Sequence, residues 1–298
     1  MKALKAKIVL FLMAAIGRLP LVLARYLGAG IGRLAWVFQP REVKVTQRNI
    51  DLCFPHLDQQ AREVLARKSV IESGKLSIEI NVVWHRSIAW LMKRLTSIEG
   101  EELITQPNET QRRGVIVVCP HNGNWEVIGI HSSSLGPMGI LYQPPKQAYI
   151  EPLMRRSRAR MGATQLTTDV RGVAGLLKML KKGQTVGILP DQVPDDGSGE
   201  FADFYAIPAY TMTLVHRLIE KTGCKVVMAA ALRHPQGFRV IYKAPPADIY
   251  SADQATSLRA LNRAVEDIVS MSPEQYQWEY KRFRKRPPGK SSVYIFNK

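Results

Sequence analysis

A run of branched apolar residues that stops at a proline is the feature that most constrains the fold of this chain. Residues 115–119 read as a buried β-strand because they are apolar throughout and rich in valine. Pro120 ends the run, and the polar residues after it predict a turn into a helix that starts near residue 124. Open α/β sheets bind ligands at the carboxyl ends of such strands. The sequence therefore predicts a site at residues 121–126.

A histidine and a glutamate stand in this predicted turn. His121 follows the proline directly, and Glu126 lies five residues further on. A neutral histidine can take a proton from a hydroxyl group when a carboxylate fixes its ring and tautomer. Gly123 permits the sharp turn that would bring the carboxylate back to the imidazole. We therefore predict that His121 is a general base supported by Glu126. The spacing alone does not distinguish this from a histidine that only caps a helix.

Apolar runs alternate with helical stretches through the rest of the chain. This alternation predicts an α/β fold in which a central mixed β-sheet is flanked by helices, with no internal repeat or low-complexity linker. We expect a membrane-anchoring helical segment at 1–40 and a single α/β domain at 41–298. The predicted strands are 115–119, 138–142, 185–189, 225–232 and 238–243, and the predicted helices are 59–95, 124–134, 150–161, 170–182, 209–222, 254–271 and 273–283.

The net charge of +17 over 298 residues indicates an anionic partner. Nucleic acid, an anionic membrane, a phosphorylated substrate and an acidic carrier protein all fit this charge. A hydrophobic content of 46% excludes a disordered chain and a multi-span membrane protein. The three cysteines show no spacing typical of a metal site, and no phosphate-binding glycine loop of either common type occurs. We predict neither a metal nor a cofactor.

The first 41 residues contain no acidic side chain. Three lysines precede an apolar stretch, and Arg18, Arg25 and Arg33 would form one basic stripe if a single helix carried all three. Secretory signal peptides also begin in this way, but no Ala-x-Ala cleavage site follows. A buried helix is the other alternative. The pattern predicts a helix that associates with a membrane, its basic flank on the cytoplasmic side. It leaves open whether residues 8–38 span the bilayer or lie on it.

Two further clusters could carry chemistry. Residues 155–160 contain four arginines, whose guanidinium groups suit phosphate and carboxylate, although such a run can also be a solvated surface. Asp191 follows a second apolar run that ends at a proline. The pattern of an apolar strand, a proline and then polar residues therefore occurs twice in the chain. Its carboxylate could bind a cation, orient an arginine or accept from a substrate hydroxyl, or it could only cap a turn.

These segments, in this order, resemble the late acyltransferases of lipid A biosynthesis, the lauroyl and myristoyl transferases of Gram-negative bacteria. Three residues depart from the family pattern. Gln143 stands where family members often have arginine, and Tyr280 and Lys281 stand where they often have histidine and arginine. The matching segments are 121–126 (HNGNWE), 141–145 (LYQPP), 157–160 (SRAR), 190–192 (PDQ), 204–209 (FYAIPA) and 273–278 (PEQYQW), with 282–283 and 286–287.

The resemblance implies a glycerolipid acyltransferase-like fold and transfer of a fatty acyl chain. The donor would be an acyl carrier protein thioester, and the acceptor a hydroxyl of a phosphorylated glucosamine lipid at the cytoplasmic face of the anionic inner membrane. It implies that His121 and Glu126 are the catalytic pair. It also implies substrate or oxyanion contacts for a second group, Arg158, Arg160, Asp191 and Asn124.

Two alternatives remain at this level. One is an acyltransferase for another acceptor, such as a glycerol phosphate or a glycolipid; glycerol-phosphate acyltransferases usually show a Pro-Glu-Gly element where 190–192 reads Pro-Asp-Gln. The other is a basic protein that binds nucleic acid. The net charge supports this alternative, but the sequence contains no nucleic-acid recognition motif. We expect no nucleic acid partner.

Overall fold

Among the described residues, five helices precede the first strand. A computed structural model of the chain describes residues 2–105, 113–142, 145, 147–160 and 162–296. Gln143 and the predicted helix end at residue 161 lie outside the described residues. The first five helices are α1 (Lys2–Gly17), α2 (Leu21–Phe38), α3 (Arg41–Cys53), α4 (Gln59–His85) and α5 (Ile88–Met92).

The basic stripe predicted for the amino terminus is wrong, because the chain breaks between α1 and α2. Pro20 precedes α2 and cannot continue the hydrogen-bond ladder of a single helix. Arg18 lies in the turn between the two helices and is exposed, as is Arg33, whereas Arg25 is buried. Helix α2 is long and apolar enough to cross a membrane, and a third of its residues are buried against the rest of the protein.

Helix α2 lies antiparallel along α4, and glycines allow the two backbones to touch. A Cβ on Gly28 would collide with the carbonyl oxygen of Gly74, and one on Gly32 would lie 2.6 Å from the Cα of Ile71. Residues 28 and 32 are one turn apart, so the contact continues along the helix. A larger side chain at either glycine would force the two helices apart.

A seven-stranded mixed sheet forms the centre of the molecule, which confirms the predicted fold class. Its order is β1-β9-β8-β2-β5-β3-β4; β8 and β9 are antiparallel, and the other neighbours are parallel. A separate antiparallel hairpin consists of β6 and β7. The strands are β1 (Leu95–Glu99), β2 (Val115–Val118), β3 (Met138–Tyr142), β4 (Thr164–Thr167), β5 (Thr185–Ile188), β6 (Gly199–Phe204), β7 (Ile207–Met212), β8 (Lys225–His234) and β9 (Gly237–Lys243).

Helices cover both faces of this sheet, so its central strand β2 is apolar at every position. In β2, alternate residues enter two different apolar clusters: Ile116 and Val118 pack on one face, and Val115 and Val117 on the other. The remaining helices are α6 (Glu102–Thr105), α7 (Trp125–Ser134), α8 (Glu151–Ala159), α9 (Val170–Lys181), α10 (Leu214–Thr222) and α11 (Gln254–Ser270), with single 3₁₀ turns at Ala148–Ile150, Ala247–Tyr250 and Pro273–Gln275.

Several segments differ from the expectation. The helix predicted at 59–95 is interrupted after His85: α5 is a separate short helix, and residue 95 already belongs to β1. The first part of the helix predicted at 209–222 is strand β7, and only α10 is helical. The helix predicted at 273–283 is one 3₁₀ turn followed by irregular chain, because this segment hydrogen-bonds to the His121 turn: Gly123 N–H donates to Gln275 O, and Gln277 N–H donates to His121 O. The edge strands β1 and β4 are not predicted, since neither has an apolar run.

Candidate active site

Two neighbouring parallel strands bring His121 and Asp191 together. Val118 of β2 pairs with Ile188 of β5, and both strands end there. His121 and Asp191 each follow three residues later, after a proline. The imidazole Nδ1 lies 2.8 Å from Asp191 Oδ1, and the backbone N–H of His121 donates to Oδ2 at 2.9 Å. One carboxylate therefore fixes both the ring and the backbone of the histidine.

This contact decides the tautomer of His121. A carboxylate only accepts hydrogen bonds, so Nδ1 carries the proton and Nε2 of the neutral ring is a free base. Gln192 places its Nε2 amide 3.2 Å from the histidine Nε2 and also contacts Gln277 Oε1 at 3.3 Å. The indole of Trp125 packs edge to face against the imidazole, with the two ring centroids 4.6 Å apart. The base thus faces an amide donor that a substrate hydroxyl could replace.

Asp191 is charged although it is almost completely buried, at 4% exposure. Burial alone would raise its pKa. The charge of His121 and the hydrogen bonds from its ring and backbone outweigh burial, so the pKa of Asp191 is lowered from its ordinary value. An ionised carboxylate at this place stabilises a protonated imidazole.

Glu126 does not hold the imidazole, which corrects the predicted direct contact. It lies in the first turn of α7, and its carboxylate accepts from Arg158 Nε at 3.2 Å on both oxygens and from Arg158 Nη2. Burial lowers the pKa of Arg158, but the Glu126 charge and hydrogen bonds outweigh it and the pKa is raised. The guanidinium therefore stays charged. The pairing that the sequence suggested for Glu126 is made by Asp191 instead.

Arg160 and Asn124 make contacts within the protein rather than at an open site. The Arg160 guanidinium donates to the carbonyl oxygens of Val83 and Arg86 at the end of α4. Asn124 is fully buried, and its Nδ2 donates to Glu79 Oε1 at 2.9 Å. These contacts hold helices and the turn in place, and the substrate contacts that the resemblance implies for the two side chains stay predictions.

A cavity of about 690 Å³ opens beside His121, within the range of roughly 300–1,000 Å³ typical of small-molecule sites. His121, Glu126 and Arg158 form part of its polar wall, and Asp191 stands behind the histidine. The rest of the wall combines apolar side chains with polar and charged ones, which include Thr168, Asp169, Asp195, Arg217 and Lys221. Its apolar side chains come from β3, β5, α7, α9 and α10 and include Ile130, Ile140, Leu141, Val173, Leu177, Ile188, Leu214 and Leu218.

Sequence reasoning missed two residues that the site uses. Gln192 directly follows Asp191, so the sequence places it at the same strand end, but no local pattern assigns it a contact with the histidine. Glu79 lies in the middle of a long helix and has no local signal. Within the ranges described, no group of three or more His, Cys, Asp or Glu side chains could hold a metal ion.

Comparison with known proteins gives one consistent family. Residues 2–285 match the family described as bacterial lipid A biosynthesis acyltransferase. The chain is 31% identical over 284 residues to the lipid A biosynthesis lauroyltransferase of Escherichia coli (strain K12), covering 93% of this chain and 90% of that protein. It is also similar to two further proteins of that strain, the palmitoleoyltransferase (28% identity; 93% and 90% covered) and the myristoyltransferase (25%; 92% and 83%).

Proposed function

The chain belongs to the family of bacterial lipid A biosynthesis acyltransferases, and we propose that His121 is the general base of its acyl transfer. Acyl transfer in lipid A biosynthesis is the reaction class that the family gives. The observation that carries the proposal is the hydrogen bond between Asp191 and Nδ1 of His121. It leaves Nε2 of the neutral ring unprotonated at the wall of the cavity.

The proposed reaction needs one base and one stabilised anion. The acceptor hydroxyl oxygen attacks the carbonyl carbon of the donor thioester while Nε2 of His121 takes its proton. The tetrahedral oxyanion then collapses, the C–S bond breaks, and the imidazolium returns the proton to the leaving thiolate. Asp191 stabilises the imidazolium during these steps, as a buried carboxylate does in other histidine-based sites. Neither a metal nor a covalent acyl-enzyme enters this sequence.

Arg158 supplies positive charge for the oxyanion in this proposal. Its side chain is partly exposed and lies in the cavity wall, while Glu126 holds the guanidinium through Nε and Nη2. Donors fixed in advance stabilise developing charge because they need no reorganisation during the reaction. Glu126 thus supports catalysis by orienting Arg158 instead of His121.

We propose the donor and acceptor that the family resemblance implies, and the cavity and the charge of the chain support both. We propose that the acyl chain lies against the apolar residues that α9 and α10 contribute to the cavity wall, with its thioester beside His121. We infer acyl carrier protein, an acidic protein, as the donor and a phosphorylated glucosamine lipid as the acceptor. Both are anionic and complement a protein of net charge +17.

We infer that α1 and α2 bind the inner membrane by lying on its cytoplasmic face. Among the described residues, twelve of the eighteen exposed large hydrophobic side chains belong to these two helices, including Phe11, Tyr26, Val37 and Phe38. Helix α2 is fastened along α4, which carries exposed charged residues, so α2 cannot cross the bilayer without carrying them with it. An in-plane helix with its apolar face in the lipid satisfies both conditions.

The test is an acyl transfer assay with the purified full-length protein in detergent. Labelled acyl carrier protein thioester and a tetra-acylated lipid A precursor are the substrates, and product mass is the readout. We expect one added acyl chain, and a loss of about 10²–10⁴-fold in rate for His121→Ala. His234→Ala, which changes an exposed histidine, is the matched control and should keep the wild-type rate.

Three results would contradict this function. Near-normal transfer by a folded His121→Ala would remove the proposed base. Transfer only from a coenzyme A thioester would change the donor. Transfer to a glycerol phosphate or another glycolipid, but not to the lipid A precursor, would change the acceptor.

A further inference from the structure

A carboxylate with no exposed surface lies in the middle of α4. Glu79 is 0% exposed, and its side chain does not line the cavity beside His121. An unpaired carboxylate in such a place would be strongly disfavoured, and three polar side chains surround this one. Arg25 Nε lies 2.5 Å from Oε2, Asn124 Nδ2 lies 2.9 Å from Oε1, and Arg233 Nη1 lies 3.7 Å from Oε1.

One of these partners belongs to the turn that carries the base. Asn124 lies three residues after His121 and directly before α7, whose first turn carries Glu126. Its side chain is fully buried and donates to Glu79, while its backbone N–H donates to the carbonyl oxygen of Ala231 in β8 at 2.8 Å. Two buried hydrogen bonds therefore hold the turn at Asn124, which lies between His121 and Glu126 in the sequence.

The turn has little freedom between these fastenings. Gly123 has a φ of +68°, and a Cβ there would collide with the Ala231 carbonyl oxygen. Arg233 approaches Glu79 and also reaches the Gly123 carbonyl oxygen with Nη1 at 3.4 Å. A change in the position of Glu79 would therefore be transmitted to residues 123–124 and so to His121.

The remaining partner joins this network to the membrane-facing helix. Arg25 projects from α2, donates to Glu79, and also donates to the carbonyl oxygens of His234 and Gly237 in the β8–β9 hairpin at 2.6 and 2.8 Å. The opposite face of α2 carries exposed apolar side chains such as Leu23 and Leu27. A continuous series of contacts runs from α2 through Arg25 and Glu79 to Asn124.

We propose that Glu79 is a positioning residue for acyl transfer, which fixes the His121 turn to α2 through Asn124 and Arg25. Buried ion pairs contribute little stability compared with apolar side chains of the same volume, and in some proteins they fix geometry instead. Displacing a reacting group by about 1 Å can cost about 10²-fold in rate. Glu79 therefore acts on the rate of the chemical step through the turn, without touching substrate.

The experiment compares two double variants of the full-length protein that differ only in the side chain at position 79, which is either glutamine or methionine. Arg25→Met with Glu79→Gln removes both charges but leaves an oxygen that can accept from Asn124. Arg25→Met with Glu79→Met removes the charges and also that acceptor. Because the proposal rests on the proposed function, wild-type protein is measured in the same acyl transfer assay with kcat and KM for both substrates, and thermal unfolding is followed for all three.

We expect the double variant with Glu79→Met to have a kcat about tenfold or more below that of the double variant with Glu79→Gln. The KM values and the unfolding temperatures of the two should be similar. Equal kcat values in two folded variants would overturn the proposal, since the network would then serve stability alone. If either double variant does not fold, Glu79→Asp takes its place, because it keeps the charge but shortens the reach to Asn124; an unchanged kcat in that variant overturns the proposal as well. A wild-type protein that transfers no acyl chain refutes the proposed function instead.

Discussion

His121 and Asp191 stand at the same level of two adjacent parallel strands, each three residues beyond the paired positions Val118 and Ile188. The two segments share a design in which an apolar strand ends at a proline and a polar residue follows. Parallel pairing therefore places the imidazole and the carboxylate side by side, with Nδ1 and Oδ1 2.8 Å apart. The site depends on strand register, since a shift of one residue would separate the pair.

Asp191→Asn tests whether this carboxylate sets the tautomer. An amide in place of the carboxylate no longer forces the proton onto Nδ1, and it cannot stabilise the imidazolium by charge. We expect kcat to fall by about 10²–10⁴-fold, the range of a general base. Asp196→Asn, at an exposed carboxylate paired with Lys285, is the control. A folded Asp191→Asn protein with wild-type kcat would show that another group orients His121.

Arg158→Lys separates charge from geometry in the cavity wall. Lysine keeps the positive charge but cannot form the paired hydrogen bonds that Glu126 accepts from the guanidinium. We expect kcat to fall by about 10²–10³-fold, the effect of losing one oxyanion donor. The same exchange at Arg155, which is exposed on the same helix, should leave steady-state kinetics unchanged. Equal kcat values for the two lysine variants would remove Arg158 from the mechanism.

Val173→Trp tests whether the apolar part of the cavity holds the acyl chain. Val173 lies in the cavity wall on α9, and its neighbour Ala174 is exposed and outside it. Each buried methylene contributes about 0.8 kcal/mol, so a tryptophan that shortens the cavity should shift kcat/KM towards donors with shorter chains. Ala174→Trp should keep the wild-type preference, measured as competition between donors of different length. An unchanged preference in Val173→Trp would place the chain elsewhere.

Replacing Leu34 and Val37 with aspartate tests the membrane surface of α2. Both side chains are exposed in the protein, at 59% and 72%, and would enter lipid in the proposed arrangement. Because burying one such side chain contributes about 1.5–3 kcal/mol, we expect vesicles of anionic phospholipid to bind the double variant at least about tenfold more weakly. The same replacement at Val64 and Ile98, which are exposed elsewhere, serves as control. Equal binding by the two double variants would contradict the assignment of α1 and α2 to the membrane.

His131 makes stability depend on pH below its ordinary pKa of 6.5. Burial lowers its pKa from the ordinary 6.5, although Glu101, 3.2 Å from Nε2, acts in the opposite direction; Tyr242 OH lies 2.7 Å from Nδ1. The unfolded chain therefore binds this proton more readily, so stability is complete above pH 6.5 and is lost as the pH falls through the lowered pKa. We expect the unfolding temperature of His131→Gln to fall less with decreasing pH than that of wild type. His234→Gln should follow the wild-type slope, and parallel slopes for all three proteins would contradict the prediction.

The strands and helices near the site could be predicted because their signals are local. The apolar run before Pro120 predicts β2, and the residues after it predict the turn and α7. The family resemblance rests on the same segments and is confirmed by the match over residues 2–285. The irregular course of 276–283 could not be predicted, because its hydrogen bond to the His121 turn joins residues more than 150 positions apart.

The sequence by itself determined which residue types stand at the strand ends, the mixed α/β fold and the apolar, basic amino terminus. Only the tertiary structure decided which partners meet: Asp191 with His121, Glu126 with Arg158, and Glu79 with Asn124. A pattern in sequence fixes the periodicity of buried side chains, since that depends on neighbours along the chain. Pairing between charged groups depends on strand register and helix packing, which join residues 32 to 70 positions apart, so the position of a carboxylate five residues from a histidine does not determine its partner.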